Sequence, residues 1–232
     1  MRPKVVAAAV AVVVVGVVVL LARFGPSGSA GPDRGMVLHL PLDRDLKDHS
    51  RFGHRVAATG HVRFDQGAAY FPGDDSWLTA PHLGLDGKPF AISMWIKPAH
   101  DQFPQGLLDQ RHDDSTNRHL HLVLRRGYPY FAFLNNDVQS KKRLRGNQWN
   151  HLACVFTGQQ QVIWLNGVPV IHSASGPYQG QEGETHIGRH PQLPHLKDAA
   201  NFQGWMRDLR IYEGLVEDER VRALHQRRPP GL

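Results

Sequence analysis

Short apolar runs separated by turn-forming residues make up the chain from residue 36 onward. Nine runs carry the pattern: residues 37–42, 68–71, 91–96, 120–124, 130–134, 151–156, 161–165, 186–188 and 203–211. Gly, Pro, Asn and Asp residues lie between them, and short runs at such spacing are typical of an all-β sandwich. Residues 216–226 are predicted to be helical, because Val221 and Leu224 share a face behind an acidic first turn.

The first 35 residues have a different composition. Residues 5–22 are an uninterrupted apolar run that follows two basic residues and ends at Arg23. About 18 apolar residues are at the short end of what spans a bilayer and above the usual length in a cleaved signal. We therefore predict a membrane anchor or signal segment over residues 1–23 and a flexible Gly/Pro/Ser-rich linker over residues 24–35.

A retained anchor and a signal cleaved near Ala30 both remain open. Either one places the following domain outside the cytoplasm, anchored to the membrane or secreted. Basic residues before the apolar run favour a cytoplasmic N-terminus. The domain is predicted over residues 36–226, which is long enough for one sandwich with its own core, and residues 227–232 are predicted to be a tail.

Charge and cysteine content narrow the function classes. Four of the 27 Lys and Arg residues and one of the 21 Asp and Glu residues precede residue 36, so the formal net charge falls from +6 for the chain to +3 for the domain. So small an excess gives no reason to expect a nucleic-acid partner. Cys154 is the only cysteine and alternates with Leu152 and Phe156, so we predict a buried, unreactive thiol and no intrachain disulfide.

Five blocks of sequence occur in an order that resembles a known family. They are residues 38–43 with 48–50 (LHLPLD, DHS), 90–98 (FAISMWIKP), 149–156 with 164–168 (WNHLACVF, WLNGV), 186–189 (HIGR) and 202–212 (FQGWMRDLRIY). Asn166-Gly167 between two apolar runs also predicts a hairpin with a type I′ turn. The blocks resemble the laminin G-like domains of the concanavalin A-like lectin/glucanase superfamily. The resemblance implies a two-sheet antiparallel jelly-roll sandwich, a fold that carries lectins, enzymes and adhesive modules.

The resemblance also implies a structural Ca²⁺ ion, held by carboxylates near the first and last strands and by a loop. The matching positions are Asp43, Asp74 and Asp208, and carboxylate oxygens are ligands that Ca²⁺ prefers. Asp208 is the best candidate, because a carboxylate within an apolar strand needs a cation nearby. The alternative is that Asp208 pairs with Arg207 or Arg210, or faces solvent.

Residues 118–125 alternate between two faces. Leu120, Leu122 and Leu124 are predicted to face the core. The opposite face carries His119, His121 and Arg125, and it is predicted to look onto solvent or onto the face where lectins of this fold hold ligands. Tyr128 and Tyr130 follow in the next segment, and Phe103 and Tyr178 are further rings predicted beside turns. Exposed rings stack on sugars or proteins, although tyrosines also bracket hairpins for structural reasons.

Catalytic and zinc chemistry have little support in the sequence. The chain has five Glu residues, and none forms the E-x-D-x-x-E arrangement of glucanases in this fold, whose retaining members need paired carboxyl groups. Asp109, Asp113 and Asp114 are interpreted as a solvated turn. The pair His119 and His121 lacks the further ligands that a closed zinc site requires.

We therefore predict a non-catalytic, extracytoplasmic binding module with a possible structural calcium ion. Its ligand is predicted to be a glycan or a cell-surface protein, with Tyr128, Tyr130, His119, His121 and Arg125 as candidate contacts. The basic run at residues 141–145 could meet acidic glycans or lie in solvent. An envelope glycoside hydrolase or lyase and a purely structural envelope module are the alternatives.

Overall fold

The computed structural model describes residues 33–189, 200–229 and 231. The predicted anchor or signal segment, and the linker up to residue 32, lie outside the described residues. Within the described ranges, no helix is long and apolar enough to cross a membrane.

The described residues form sixteen strands and one helix. In chain order they are β1 (Met36–Leu40), β2 (Ala57–Thr59), β3 (Arg63–Asp65), β4 (Ala68–Pro72), β5 (Trp77–Ala80), β6 (Phe90–Pro98), β7 (Gln105–Arg111), β8 (His119–Arg125), β9 (Tyr128–Ala132), β10 (Asp137–Gln139), β11 (Asn150–Phe156), β12 (Gln160–Leu165), β13 (Val168–Ala174), β14 (Thr185–Ile187), β15 (Ala200–Asn201), β16 (Gln203–Glu213) and α1 (Asp218–Gln226).

The described residues form two sheets of eight strands each, and the two sheets pack face to face. Sheet A has the order β13-β12-β11-β6-β16-β4-β3, and β1 also pairs with β16. Sheet B has the order β10-β9-β8-β7-β14-β5-β2, and the short strand β15 runs parallel to β7. The other pairings are antiparallel, as in β6 with β11 and β7 with β8. The predicted all-β jelly-roll sandwich is therefore confirmed.

The core fills the space between the sheets. Leu122 of β8, Met94 of β6 and Ile163 of β12 belong to one cluster and are essentially inaccessible to solvent. Cys154 lies in the same cluster, and burial raises the pKa of its thiol, as predicted for a small hydrophobic residue. Because side chains alternate along each strand, filling this core forces the intervening side chains onto the outer faces.

The outer face of sheet A is covered by the helix. Val221 and Leu224 of α1 pack with Trp164, Ala153 and other outward-facing residues of sheet A. The helix was predicted over residues 216–226 and is observed over Asp218–Gln226. Sheet A therefore has a second small core on its outside, and sheet B carries a smaller cluster of Val123, Tyr130 and Ala132 that is separate from the main core.

Local turn chemistry agrees with the sequence at the hairpin that joins β12 and β13. Asn166 has φ of 52° and Gly167 has φ of 76°, so both central residues are left-handed, as a type I′ turn requires. The predicted strands are all present, including β13 after the predicted hairpin turn, but the shorter strands β2, β3, β5, β10 and β15, and also β7, were not predicted.

Candidate functional site

Polar side chains from three neighbouring strands meet on the outer face of sheet B. Strand pairing places His121 of β8 opposite Asp109 of β7, and Asp109 opposite His186 of β14. We call this surface the histidine face and define it by Asp109, His119, His121, Arg125, Tyr130 and His186. It is formed because the leucines of β8 point into the core, which turns the two histidines of that strand outward.

Asp109 is the centre of the histidine face. Its side chain is 6% exposed, and its two oxygens contact different histidines: Oδ1 accepts from Nε2 of His119, and Oδ2 lies 3.5 Å from Nδ1 of His186. Burial alone would raise the pKa of Asp109, but the hydrogen bonds from His119 and then His186 lower it to about 2. The carboxylate is therefore ionised at neutral pH, and both contacts are charge-assisted.

This position of Asp109 corrects the prediction of a solvated turn. Asp109 lies in β7 and is buried, whereas Asp113 and Asp114 do belong to the loop after that strand. A register shift between Gly106 and Leu108 interrupts the alternation of β7, so the sequence does not show which side of the strand Asp109 occupies. The contact with His186 joins residues far apart in the sequence and follows only from sheet pairing.

His121 is held by its own strand. Its Nδ1 donates to the backbone carbonyl of His119 at 3.0 Å, and its Nε2 is buried with no partner among the described residues. The two imidazole rings lie 4.9 Å apart. Burial, together with the nearby His119 and Arg125, lowers the pKa of His121 to about 3, so the ring is neutral at physiological pH.

Arg125 and Tyr130 extend the histidine face toward the β8–β9 turn. The guanidinium carbon of Arg125 lies 3.4 Å from the centre of the Tyr130 ring, and the Tyr130 hydroxyl donates to Asp137. Tyr130 is 7% exposed, so its ring is largely covered rather than free to stack. Tyr128 is half-buried at the start of β9, opposite Arg125. The five predicted ligand residues therefore lie on β8 and β9, within one part of sheet B.

Charged residues of the β7–β8 loop lie at the edge of the histidine face. Asp114 binds Arg111, and its Oδ1 lies 3.6 Å from Nδ1 of His119. Arg118 contacts Asp113 through Nε at 3.3 Å. On the other edge, Glu184 lies 3.7 Å from His186. The edges of the histidine face thus carry charged groups of both signs.

The residues predicted to bind calcium have other partners. Asp208 Oδ1 accepts from Nε of Arg210 at 2.8 Å and from Nε2 of His39 at 2.9 Å. Burial would raise the pKa of Asp208, but these bonds lower it. The alternative of an ion pair with Arg210 is the one observed.

Asp43 and Asp74 lie in separate networks. Asp43 binds the exposed Arg44, and Asp74 accepts from Ser76 and contacts His61. Within residues 33–189 and 200–229, no group of three or more His, Cys, Asp or Glu residues is arranged to hold a metal ion. The donor set around Asp208 therefore does not fit calcium, and we derive no role for the ion.

Tyr178 differs from the prediction of an exposed ring. It is fully buried, and its hydroxyl donates to the backbone carbonyl of Gln110 at 3.2 Å. Phe103 is 53% exposed, as expected for a ring beside a turn.

Another buried histidine, His151, lies on the outside of sheet A. Nε2 of His151 is 2.9 Å from the hydroxyl of Ser93, and the ring packs against Trp95 and His225. Both His151 and Ser93 are almost inaccessible to solvent. Since α1 covers this side of sheet A, this pair belongs to the packing of the helix on the sheet.

The family follows from this architecture and from the sequence. Residues 72–222 match the profile of Laminin_G_3, in the concanavalin A-like lectin/glucanases superfamily. The chain belongs to this superfamily. The predicted resemblance is therefore confirmed. No curated protein sequence shows significant similarity to the chain.

Several solved structures of proteins with the same fold are similar to this superfamily member. Domain 4 of AbnA, an extracellular arabinanase from Geobacillus stearothermophilus solved with arabinotriose, is 18% identical and has a TM-score of 0.66, with coverage of 84% of this chain and 100% of that one. The binding domain of botulinum neurotoxin DC with rat synaptotagmin II is 15% identical, with a TM-score of 0.67 and coverage of 83% and 51%.

A structure of botulinum neurotoxin type C, whose cell entry depends upon interaction with two ganglioside molecules, is 14% identical, with a TM-score of 0.67 and coverage of 83% and 51%. The chain thus spans the whole of the arabinanase domain but about half of the toxin chains. At these identities the likeness shows the fold alone.

Proposed function

We propose that this domain is a non-catalytic binding module that recognises carbohydrate on the histidine face. One observation carries the proposal: hydrogen-bonding side chains from β7, β8 and β14 gather in register on one outer face, beside a tyrosine ring. Sugar sites combine a few placed polar groups with aromatic or apolar surface. The arabinanase domain that was solved with arabinotriose, and the neurotoxin whose cell entry depends upon interaction with gangliosides, support this ligand class.

The state of Asp109 supports binding over hydrolysis. A glycosidase needs one carboxyl group that remains protonated long enough to act as an acid. Asp109, the buried carboxylate of the histidine face, is instead held ionised, because His119 and His186 lower its pKa to about 2. Its role is to fix the two imidazole rings, which is a positioning role.

A protein ligand is the second candidate, favoured by the structural relative that was solved with synaptotagmin II. The predicted N-terminal anchor or signal segment supports placing the module outside the cytoplasm, where glycans and surface proteins are available. Cell fractionation of the full-length chain tests that location.

A glycan array probed with the full-length chain tests the function. We expect Arg125→Ala to weaken binding at least tenfold, because it removes a guanidinium from the histidine face. Arg222→Ala is the matched control, since Arg222 also lies over an aromatic ring, Trp164, but on the side of sheet A. Absence of binding to every glycan, or release of new reducing ends from a bound one, would contradict the proposal.

A further inference from the structure

The tautomer of His121 is fixed by its surroundings. A backbone carbonyl only accepts hydrogen bonds, so the Nδ1 atom that lies 3.0 Å from the carbonyl of His119 must carry the hydrogen. In a neutral imidazole the other nitrogen then has a free lone pair. Nε2 of His121 is therefore an acceptor, and it has no donor among the described residues.

An unpaired buried acceptor is a cost to the folded protein. Leaving such a group unsatisfied costs about 1–3 kcal/mol, and most buried polar atoms in proteins do find a partner. The neighbouring rings each contact a carboxylate: His119 donates to Asp109 through Nε2, although its Nδ1 is likewise buried without a hydrogen-bond partner among the described residues, and His186 lies between Asp109 and Glu184. Among the described residues, His121 is thus the ring of the histidine face that has no ion-pair contact with a carboxylate, and its Nε2 lacks a hydrogen-bond donor.

An unpartnered donor lies beside the same aromatic ring as this acceptor. Nε of Arg125 is also buried without a partner among the described residues. The centre of the His121 ring lies 5.8 Å from the centre of the Tyr130 ring. The guanidinium carbon of Arg125 lies 3.4 Å from the centre of that same ring. Val123 and Ala132, both fully buried, complete the apolar surroundings. One acceptor and one donor therefore flank a single aromatic ring.

We propose that His121 Nε2 accepts a hydrogen bond from a ligand hydroxyl, and that Arg125 Nε donates to a ligand oxygen, so the ligand at this point is a neutral sugar unit. This inference rests on the proposed carbohydrate-binding function and specifies its ligand. A carboxylate, sulfate or phosphate offers only acceptors and would place its lone pairs against that of His121. The hydroxyl groups of a sugar supply both the donor and the acceptor that the pair requires.

The geometry also implies a movement. His121 is inaccessible to solvent, so a ligand reaches Nε2 only when a covering side chain moves. Arg125 is only partly buried, lies on the same face of β8 and is positioned over the Tyr130 ring.

Titration calorimetry with a panel of neutral and uronic-acid oligosaccharides, using the full-length chain, tests the inference. We expect the neutral oligosaccharides to bind to the wild type. His121→Phe keeps a planar ring but removes the acceptor, so it should weaken the affinity for these oligosaccharides about tenfold, which is the effect of one neutral hydrogen bond. His121→Gln restores a carbonyl acceptor and should recover part of the loss. His151→Phe is the matched control: it removes another buried imidazole, on sheet A, and should leave affinity unchanged.

Nitrogen-detected NMR of the histidine rings supplies a second measurement. Its result would not change on ligand binding if His121 had a purely structural role. The Nε2 resonance of His121 should have the position of a nitrogen without hydrogen and should shift when a neutral sugar binds. Equal affinities for wild type and His121→Phe overturn this inference while leaving carbohydrate binding intact. Preference for the uronic-acid members overturns it as well. Failure of the wild type to bind any carbohydrate overturns the proposed function and this inference together.

Discussion

His119 and His186 bind different oxygens of one carboxylate, that of Asp109, from strands on either side of β7. The carboxylate therefore joins β8 and β14 through side chains in addition to the backbone ladder. Because the contacts are buried and charge-assisted, they are stronger than exposed ion pairs.

Replacing Asp109 by Asn should destabilise the fold in a pH-dependent way. The lowering of its pKa from 3.8 to about 2 corresponds to about 2 kcal/mol. Since the folded-state pKa is the lower one, this stabilisation is present above pH 4 and lost as the pH falls toward 2. Urea unfolding at pH 7 and pH 3 measures it. Asp113→Asn, in the exposed loop nearby, is the control; equal effects of both substitutions at pH 7 would contradict the prediction.

Asp48 should be important for the start of the domain. Its carboxylate accepts from the backbone N–H groups of His39, Ser50 and His54 at 2.8–2.9 Å, and from the Ser50 hydroxyl. Burial would raise the pKa of Asp48, but these bonds lower it.

We expect Asp48→Asn to lower the free energy of unfolding by about 2 kcal/mol, because an amide replaces a charged acceptor. The loss should shrink below pH 4, where the carboxylate of the unfolded chain is protonated. Asp45→Asn is the control, since Asp45 is exposed and accepts one backbone bond, from Lys47. A melting temperature unchanged by Asp48→Asn would refute the assignment.

His121 and His151 should remain neutral in the folded protein down to about pH 4. Burial and then neighbouring charged groups lower the pKa of each to about 3. Because the unfolded histidines have a pKa of about 6.5, the unfolded state binds more protons below that value, and stability falls as the pH decreases from 6.5 to 3.

The slope is up to about 1.4 kcal/mol per pH unit for each histidine. NMR titration of the two rings checks the protonation, and the single Phe variants should each show a flatter dependence of stability on pH. A ring that titrates near pH 6.5 in the folded protein would show the prediction to be wrong.

Calcium should not act through Asp208. Arg210 and His39 both donate to Oδ1 of this carboxylate, so a cation there would have to replace existing partners. We expect the difference in melting temperature between wild type and Asp208→Asn to be the same in EDTA and in millimolar Ca²⁺. A stabilisation by Ca²⁺ that the substitution abolishes would restore the predicted site, since a bound ligand raises stability by mass action.

Cys154 should react with a thiol reagent only after unfolding. The thiol is buried in the core, and burial raises its pKa, so thiolate is scarce and inaccessible. Reaction with an aromatic disulfide reagent should follow the urea unfolding curve. Rapid labelling without denaturant would contradict the burial of this residue.

The alternation along β8 was sufficient to predict which residues share a face. His119, His121 and Arg125 lie on the outer side of sheet B because the leucines between them form the core. Asp109 could not be found in the same way, because the bulge in β7 breaks the alternation, and its partner His186 lies on a strand that is distant in sequence.

The partners of Asp208 show a similar limit. The sequence was sufficient to suggest Arg210 as a partner of Asp208, since the two residues are close in the sequence and lie in the same strand, β16. His39 contributes only because β1 pairs with β16, with His39 opposite Arg210. Local pattern thus predicts the faces of strands, whereas the chemistry of a carboxylate depends on which strands become neighbours.

Both ends of the described domain belong to sheet A. Strand β1 pairs within that sheet, and α1 packs on its outside, whereas the histidine face lies on sheet B. A tag or linker fused before β1 or after α1 should therefore leave the histidine face unobstructed. Many copies coupled to a bead through either end would present this face to the medium, so weak single contacts with a repeating polymer could add up to strong attachment.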